Sequence, residues 1–193
     1  MFLGICVVAG LSLAGCGGLS GSNATTVTSG MAPTSSSVPS DVPTVPSPDL
    51  DTSRFAADPC GMLTTEQVKQ VGAGVRGKTE ENPLGPSCVW NAASTAAKNN
   101  FAVTVNNQIG LADMYARKAN FRLWEPTRVG DRPAVFAIDD DIRNMGLCRL
   151  DIATAQKTLV NIDVRLSPSA TDYTNPCPRA TAIGEMVLAT LKG

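Results

Sequence analysis

Residues 147–166, LCRLDIATAQKTLVNIDVRL, decide the fold. Cys148, Leu150 and Ile152 alternate with Arg149 and Asp151, and Val160, Ile162, Val164 and Leu166 alternate with Asn161, Asp163 and Arg165. A period of two is the signature of a half-buried strand, because successive side chains point to opposite faces of a sheet. Strands over 147–154 and 158–166 leave too few residues between them for anything but a hairpin. Matching their apolar faces sets Cys148 opposite Val164, Leu150 opposite Ile162 and Ile152 opposite Val160. The same register puts Arg149 opposite Asp163, with Arg149 and Asp151 on the outer side. A cross-strand ion pair contributes only about 0.2 to 1 kcal/mol, but it makes the register testable.

Phe101–Val105 alternates in the same way, and Cys88 shares an inner face with Trp90. Shorter strands are predicted over Val75–Glu80, Glu125–Val129 and Ala134–Ile138. The last segment is the clearest helix: Ala180, Ile183, Gly184, Val187, Leu188 and Leu191 recur at three- and four-residue spacing, with Asn175 as cap and Pro176 in the first turn. Thr64 and Gln67 fit a capping box for a short helix ending near Val71, and a third helix is predicted from Gly110 to Asn120. The expected architecture is α+β, an antiparallel sheet of about five to seven strands with two or three helices packed on one face.

Composition narrows the function. Sixteen basic residues against 17 acidic ones provide no field for gathering nucleic acid, so none is expected as a partner. The chain has no histidine, the usual proton carrier near neutral pH and a common zinc ligand. No nucleophile elbow, phosphate loop or metalloprotease helix is present, so no catalytic residue, cofactor or metal is assigned and a non-catalytic protein is expected.

Residues 2–14, FLGICVVAGLSLA, form an unbroken small or apolar run, long enough for a signal-peptide core and too short to span a bilayer. Leu13-Ala14-Gly15-Cys16 then looks like a bacterial lipobox, in which Cys16 receives a diacylglyceryl group and becomes the new N-terminus. A signal core is normally preceded by Lys or Arg, yet the first basic residue is Arg54, so the expected translation start lies upstream. Several acyl chains, each methylene contributing about 0.8 kcal/mol, hold such a protein far more firmly than one chain does. The expected location is the outer face of the cytoplasmic membrane, with the membrane as a partner through that anchor.

From Gly17 to Leu50 the sequence is mostly Ser, Thr, Pro and Gly, which cannot build a core. The chain thus divides into a signal peptide (1–15), a lipidated cysteine with a disordered tether (16–52) and a globular domain (53–193). As a flexible coil the tether would span about 30 Å, and its spaced prolines stiffen it.

Of the six cysteines, Cys6 lies in the removed segment and Cys16 is the lipid site, leaving Cys60, Cys88, Cys148 and Cys177. An even number in an exported domain predicts two disulfides. The pairing Cys60 with Cys88 and Cys148 with Cys177 joins a cysteine opening a helix to one on an inner strand face in each case; Cys60 with Cys177 is the main rival. The chain-entropy model assigns each of the favoured bridges about 3.6 kcal/mol.

The lipobox, the Ser/Thr/Pro tether, Asp58-Pro59-Cys60, Cys88-Val89-Trp90, Leu147-Cys148 and Pro176-Cys177 before a terminal helix together resemble the actinobacterial lipoproteins that share domain of unknown function 3558. The resemblance covers the whole chain. It implies an envelope location and carries no catalytic residues across.

Asp139-Asp140-Asp141 is the densest charge cluster, read as a solvated turn in preference to a weak cation site, because it lacks the glycine bend and terminal Glu of an EF-hand. Trp90 and Trp124 read as core or rim residues. The leading expectation is a binding module for a small molecule, an envelope fragment or a protein partner. The alternatives are an accessory protein acting on a membrane sensor and, last, a hydrolase pairing Glu80 or Glu81 with an aspartate.

Overall fold

The computed structural model describes residues 39–74, 76–91 and 99–193. The signal peptide, Cys6, Cys16 and the tether as far as residue 38 lie outside the described residues, as does Val75.

Seven strands, β1 (Gly77–Glu80), β2 (Ser87–Asn91), β3 (Asn100–Asn106), β4 (Leu123–Val129), β5 (Arg132–Ile138), β6 (Leu147–Ala155) and β7 (Thr158–Arg165), form one sheet in the order β1-β2-β3-β7-β6-β5-β4. Every neighbouring pair is antiparallel. The hairpin β6–β7 has the register expected from its apolar faces: Cys148 pairs with Val164, Leu150 with Ile162 and Ile152 with Val160, with a bulge only near the turn, between Ala153 and Ala155. Arg149 stands opposite Asp163 and its Nε donates to Oδ1 at 2.7 Å. Pro126 lies inside β4, an edge strand, where a missing N–H costs no ladder bond.

The main core fills the inner face. Leu150, Ile152, Val160, Ile162 and Val164 pack there with Trp90, Phe101 and Val103, beneath helices α1 (Thr65–Gln70) and α3 (Cys177–Lys192). Thr64 and Gln67 make the expected capping box, with reciprocal bonds of 3.2 and 2.7 Å. Helix α3 buries the anticipated stripe from Ala180 to Leu191. Its cap position is Pro176 rather than Asn175, with no side-chain capping bond, and the Asn175 N–H donates to the Asp172 carbonyl in the preceding turn. Gly184 lets α3 approach the sheet: a Cβ there would stand 2.7 Å from Ile152 Cδ1.

The opposite face is also covered, over part of its extent. Val135 and Ala137 of β5, Ala153 of β6 and Leu159 of β7 form a second cluster with Leu111, Met114 and Tyr115 of α2 (Leu111–Ala116). That helix is shorter than the Gly110–Asn120 expected; the chain tightens into a 3-10 turn at Lys118–Asn120.

Residues 39–52 depart from the expectation of a free tether. Val45 is buried in the second cluster and Val42 packs against it. The Leu50 N–H donates to the Thr154 carbonyl at 2.9 Å, and Lys118 pairs with Asp41 at 2.6 Å. Arg132, 2 % exposed, donates to the carbonyls of Pro46 and Pro48 at 2.8 and 2.7 Å. The folded body therefore includes residues 39–52 as well as those from Ser53 onward: a few apolar residues among the prolines find a groove, and a buried guanidinium takes up the carbonyls that proline-rich backbone cannot pair internally.

Both disulfides take the favoured pairing, Cys60–Cys88 with Cα atoms 5.0 Å apart and Cys148–Cys177 at 5.2 Å. Gly77 of β1 leaves room for the first, since a Cβ there would fall 2.3 Å from Cys88 Sγ.

Candidate functional site

On the second face, the stretch of sheet not covered by α2 and the strap at residues 39–52 forms a groove. Its larger part is a cleft of about 500 Å³, with Val89, Ala102, Ala137 and Ile142 as apolar lining and Arg149 with Asp163 as a charged pair. Burial works against the Arg149 charge, but the Asp163 hydrogen bond and charge outweigh it, holding the guanidinium above its usual pKa. A smaller cavity of about 300 Å³ shares Ala137, Asp139 and Arg149 with the cleft and continues it toward α2. Its polar lining includes Asn106, Asp151 and Asn161, and its apolar lining Ile109, Met114 and Phe121.

Asp151 corrects the sequence expectation. Alternation places it on the outer side of β6, which is true, but that side is roofed here and the residue is only 1 % exposed. Burial pushes its carboxyl up to about 7; Arg149 and a hydrogen bond from Asn161 oppose the rise, and Asp163 adds to it. Asn161, its register partner on β7 and 4 % exposed, donates Nδ2 to Asp151 Oδ1. Asp151 Oδ2 and Asn161 Oδ1 are closed to solvent and have no protein donor among the described residues. Such orphaned acceptors are uncommon and each calls for a physical reason.

The aspartate run after β5 is held by guanidinium groups. Arg143 bridges Asp141 at 2.6 Å and Glu125 at 3.0 Å, and Arg122 reaches Asp140 at 3.1 Å. The Arg143 hydrogen bond keeps Asp141 below the usual carboxylate range. Asp139 extends into the groove. Glu80 pairs with Lys78 at the sheet edge, and neither it nor Glu81 lines the cleft or the cavity. Trp90 stacks on Phe101 in the main core, and Trp124 packs edge-on against Tyr115 beside the second cluster. Cys148 is part of the cleft's lining, but its side chain belongs to the main core of the inner face, where it is bonded to Cys177.

A carboxyl with a pKa near 7 is in the state a general acid needs, and Asp163 lies one diagonal step away in the register. Asp163, however, is committed to Arg149 and Asp151 to Asn161, and among the described residues no hydroxyl or thiol nucleophile lines either space. The arrangement is suited to holding a small molecule by a polar end and an apolar body.

Sequence reasoning missed Asp151, Asn161 and Asn106. The signal was available in part, because the register that pairs Arg149 with Asp163 also pairs Asp151 with Asn161; the covering helix carried no signal on those strands.

No curated protein and no solved structure shows significant similarity to the chain. The family model for a protein of unknown function, DUF3558, matches residues 11–190, in keeping with the resemblance of the spaced cysteine motifs, and the chain belongs to that family.

Proposed function

We propose that this is an actinobacterial cell-envelope lipoprotein, anchored by diacylglyceryl Cys16 at the outer face of the cytoplasmic membrane, whose domain binds a small amphipathic molecule without transforming it. The observation that carries the binding reading is the groove on the second sheet face, apolar along its walls with a few convergent polar groups, the form a ligand site ordinarily takes. Among the described residues the only large hydrophobic side chain standing exposed is Met145, at 56 %. A broad apolar patch of the kind that recruits a protein partner is thus not what the face offers. The signal core and lipobox support the anchor, and two disulfides suit an oxidising compartment.

The test begins with protein extracted from its native membrane. Non-reducing peptide mapping is expected to find a diacylglyceryl group on Cys16, and an unmodified cysteine there overturns the anchor. Native mass spectrometry is expected to find a small-molecule adduct that disappears in Ala102→Trp, which fills the cleft from its floor. An adduct retained in that variant, or none in the wild type, overturns the groove as the binding site.

A further inference from the structure

We propose that the smaller cavity holds the ammonium head of a small amphipathic amine, with Asp151 and Asn161 as its acceptors. The proposal rests on the groove being a ligand site and names the chemistry of its polar end. Two oxygens, Asp151 Oδ2 and Asn161 Oδ1, belong to cross-strand neighbours in the same register and lack protein donors, although both residues are more than nine-tenths buried. The site therefore presents acceptors and asks for donors. A hydroxyl brings one hydrogen; a primary ammonium brings three and a positive charge, so it can serve both oxygens and offset the carboxylate.

The surroundings fit that choice. Asp139 adds a second carboxylate to the lining, while the Arg149 guanidinium is engaged by Asp163 and Arg117 Nε donates to the Asp113 carbonyl. Met114, Ile109 and Phe121 supply an apolar wall for the ligand body. The head group reaches Oδ2 when the Asn161 amide swings aside, exchanging one hydrogen bond for several charge-assisted ones.

The groups facing Asp151 are Asn161 and Asp163 on β7, Arg149 on β6, Asn106 on β3, and Asp139 and Arg117 at the cavity wall. With its carboxyl near 7, Asp151 is largely protonated in mildly acidic solution. Binding an ammonium ion then releases that proton to solvent, and binding a neutral amine transfers it to the ligand nitrogen. In both cases the product is the same ammonium–carboxylate pair. Affinity for a cationic amine accordingly rises with pH up to about 7 and levels off above it.

The experiment is isothermal titration of the full chain with benzylamine and with benzyl alcohol, at pH 5 and pH 8, in buffers of different ionisation enthalpy. At pH 8 benzylamine is expected to bind at least about tenfold more tightly than benzyl alcohol, the lower range for a charge-assisted bond. Asp151→Asn is expected to remove that preference, so that benzylamine binds no more tightly than benzyl alcohol. At pH 5 the wild type is expected to release close to one proton per benzylamine bound, a readout that decides the matter even if the variant does not fold. Equal binding of both probes, lost together in Ala102→Trp, overturns the amine site and leaves the groove as a ligand site. An undiminished preference in Asp151→Asn, binding without proton release at pH 5, or binding of neither probe also overturns the amine site.

Discussion

Asp151 is the residue whose environment most alters its chemistry. An aspartate in an unfolded chain titrates near 3.9, whereas burial raises this one to about 7 in the folded protein. Between those values the folded state holds the proton and the unfolded state has lost it, so folding stability falls as pH rises through the window, by at most about 1.4 kcal/mol per pH unit. Asp41, Asp113, Asp131 and Asp141 are shifted the other way by their Lys or Arg partners and backbone hydrogen bonds, and they act only as pH drops toward 4 and below. Urea unfolding at pH 5 and pH 7.5 should show the wild type losing stability with rising pH and Asp151→Asn losing much less. Equal slopes for the two proteins would sink this account. The alternation of β6 made the facing of Asp151 legible but not its burial, since a strand pattern separates two faces without saying what lies over either.

At the scale of elements, close packing and capping carry separate costs. Gly184→Leu forces a side chain between α3 and the sheet where Ile152 already stands, and overpacking of this kind costs about 1 to 3 kcal/mol; a chemical-denaturation midpoint equal to wild type would refute it. Thr64→Ala removes half of a capping box and should cost about 1 kcal/mol in the same measurement. The strap at residues 39–52 is held chiefly by Arg132, whose guanidinium is buried and shares three carbonyls, those of Pro46, Pro48 and Thr154. In Arg132→Met those acceptors lose charge-assisted bonds. Amide exchange at Leu50 should accelerate while the amides of β7 stay protected, whereas unchanged protection at Leu50 would mean the strap docks through Val42 and Val45 alone.

For the whole molecule the two disulfides tie opposite halves of the sheet to the helices. Cys60–Cys88 joins the turn before α1 to β2, and Cys148–Cys177 joins β6 to the start of α3. Each closes a loop whose chain-entropy stabilisation is about 3.6 kcal/mol, set against a total of roughly 5 to 15 kcal/mol for an ordinary domain. Adding reductant should therefore lower the circular-dichroism Tm sharply, and the double variant Cys148→Ala with Cys177→Ala should account for about half of the fall. A reduced protein melting at the oxidised temperature would show that the native packing suffices without them.

What the sequence determined by itself was whatever depends on local period and parity. The β6–β7 register, the places of the strands and of three helices, and the Thr64 capping box follow from which side chains alternate and which recur every three or four residues, whereas the inner-face cysteines favoured one pairing and the structure chose it over Cys60 with Cys177. The covering of the second face came from tertiary contacts instead. Ile109, Met114 and Phe121 come from segments distant in sequence from β6 and β7, and their docking turns Asp151 and Asn161 from surface residues into part of a cavity lining. The cause is physical: alternation encodes the direction of a side chain from its own backbone, whereas burial depends on atoms that other parts of the chain bring within a few ångströms.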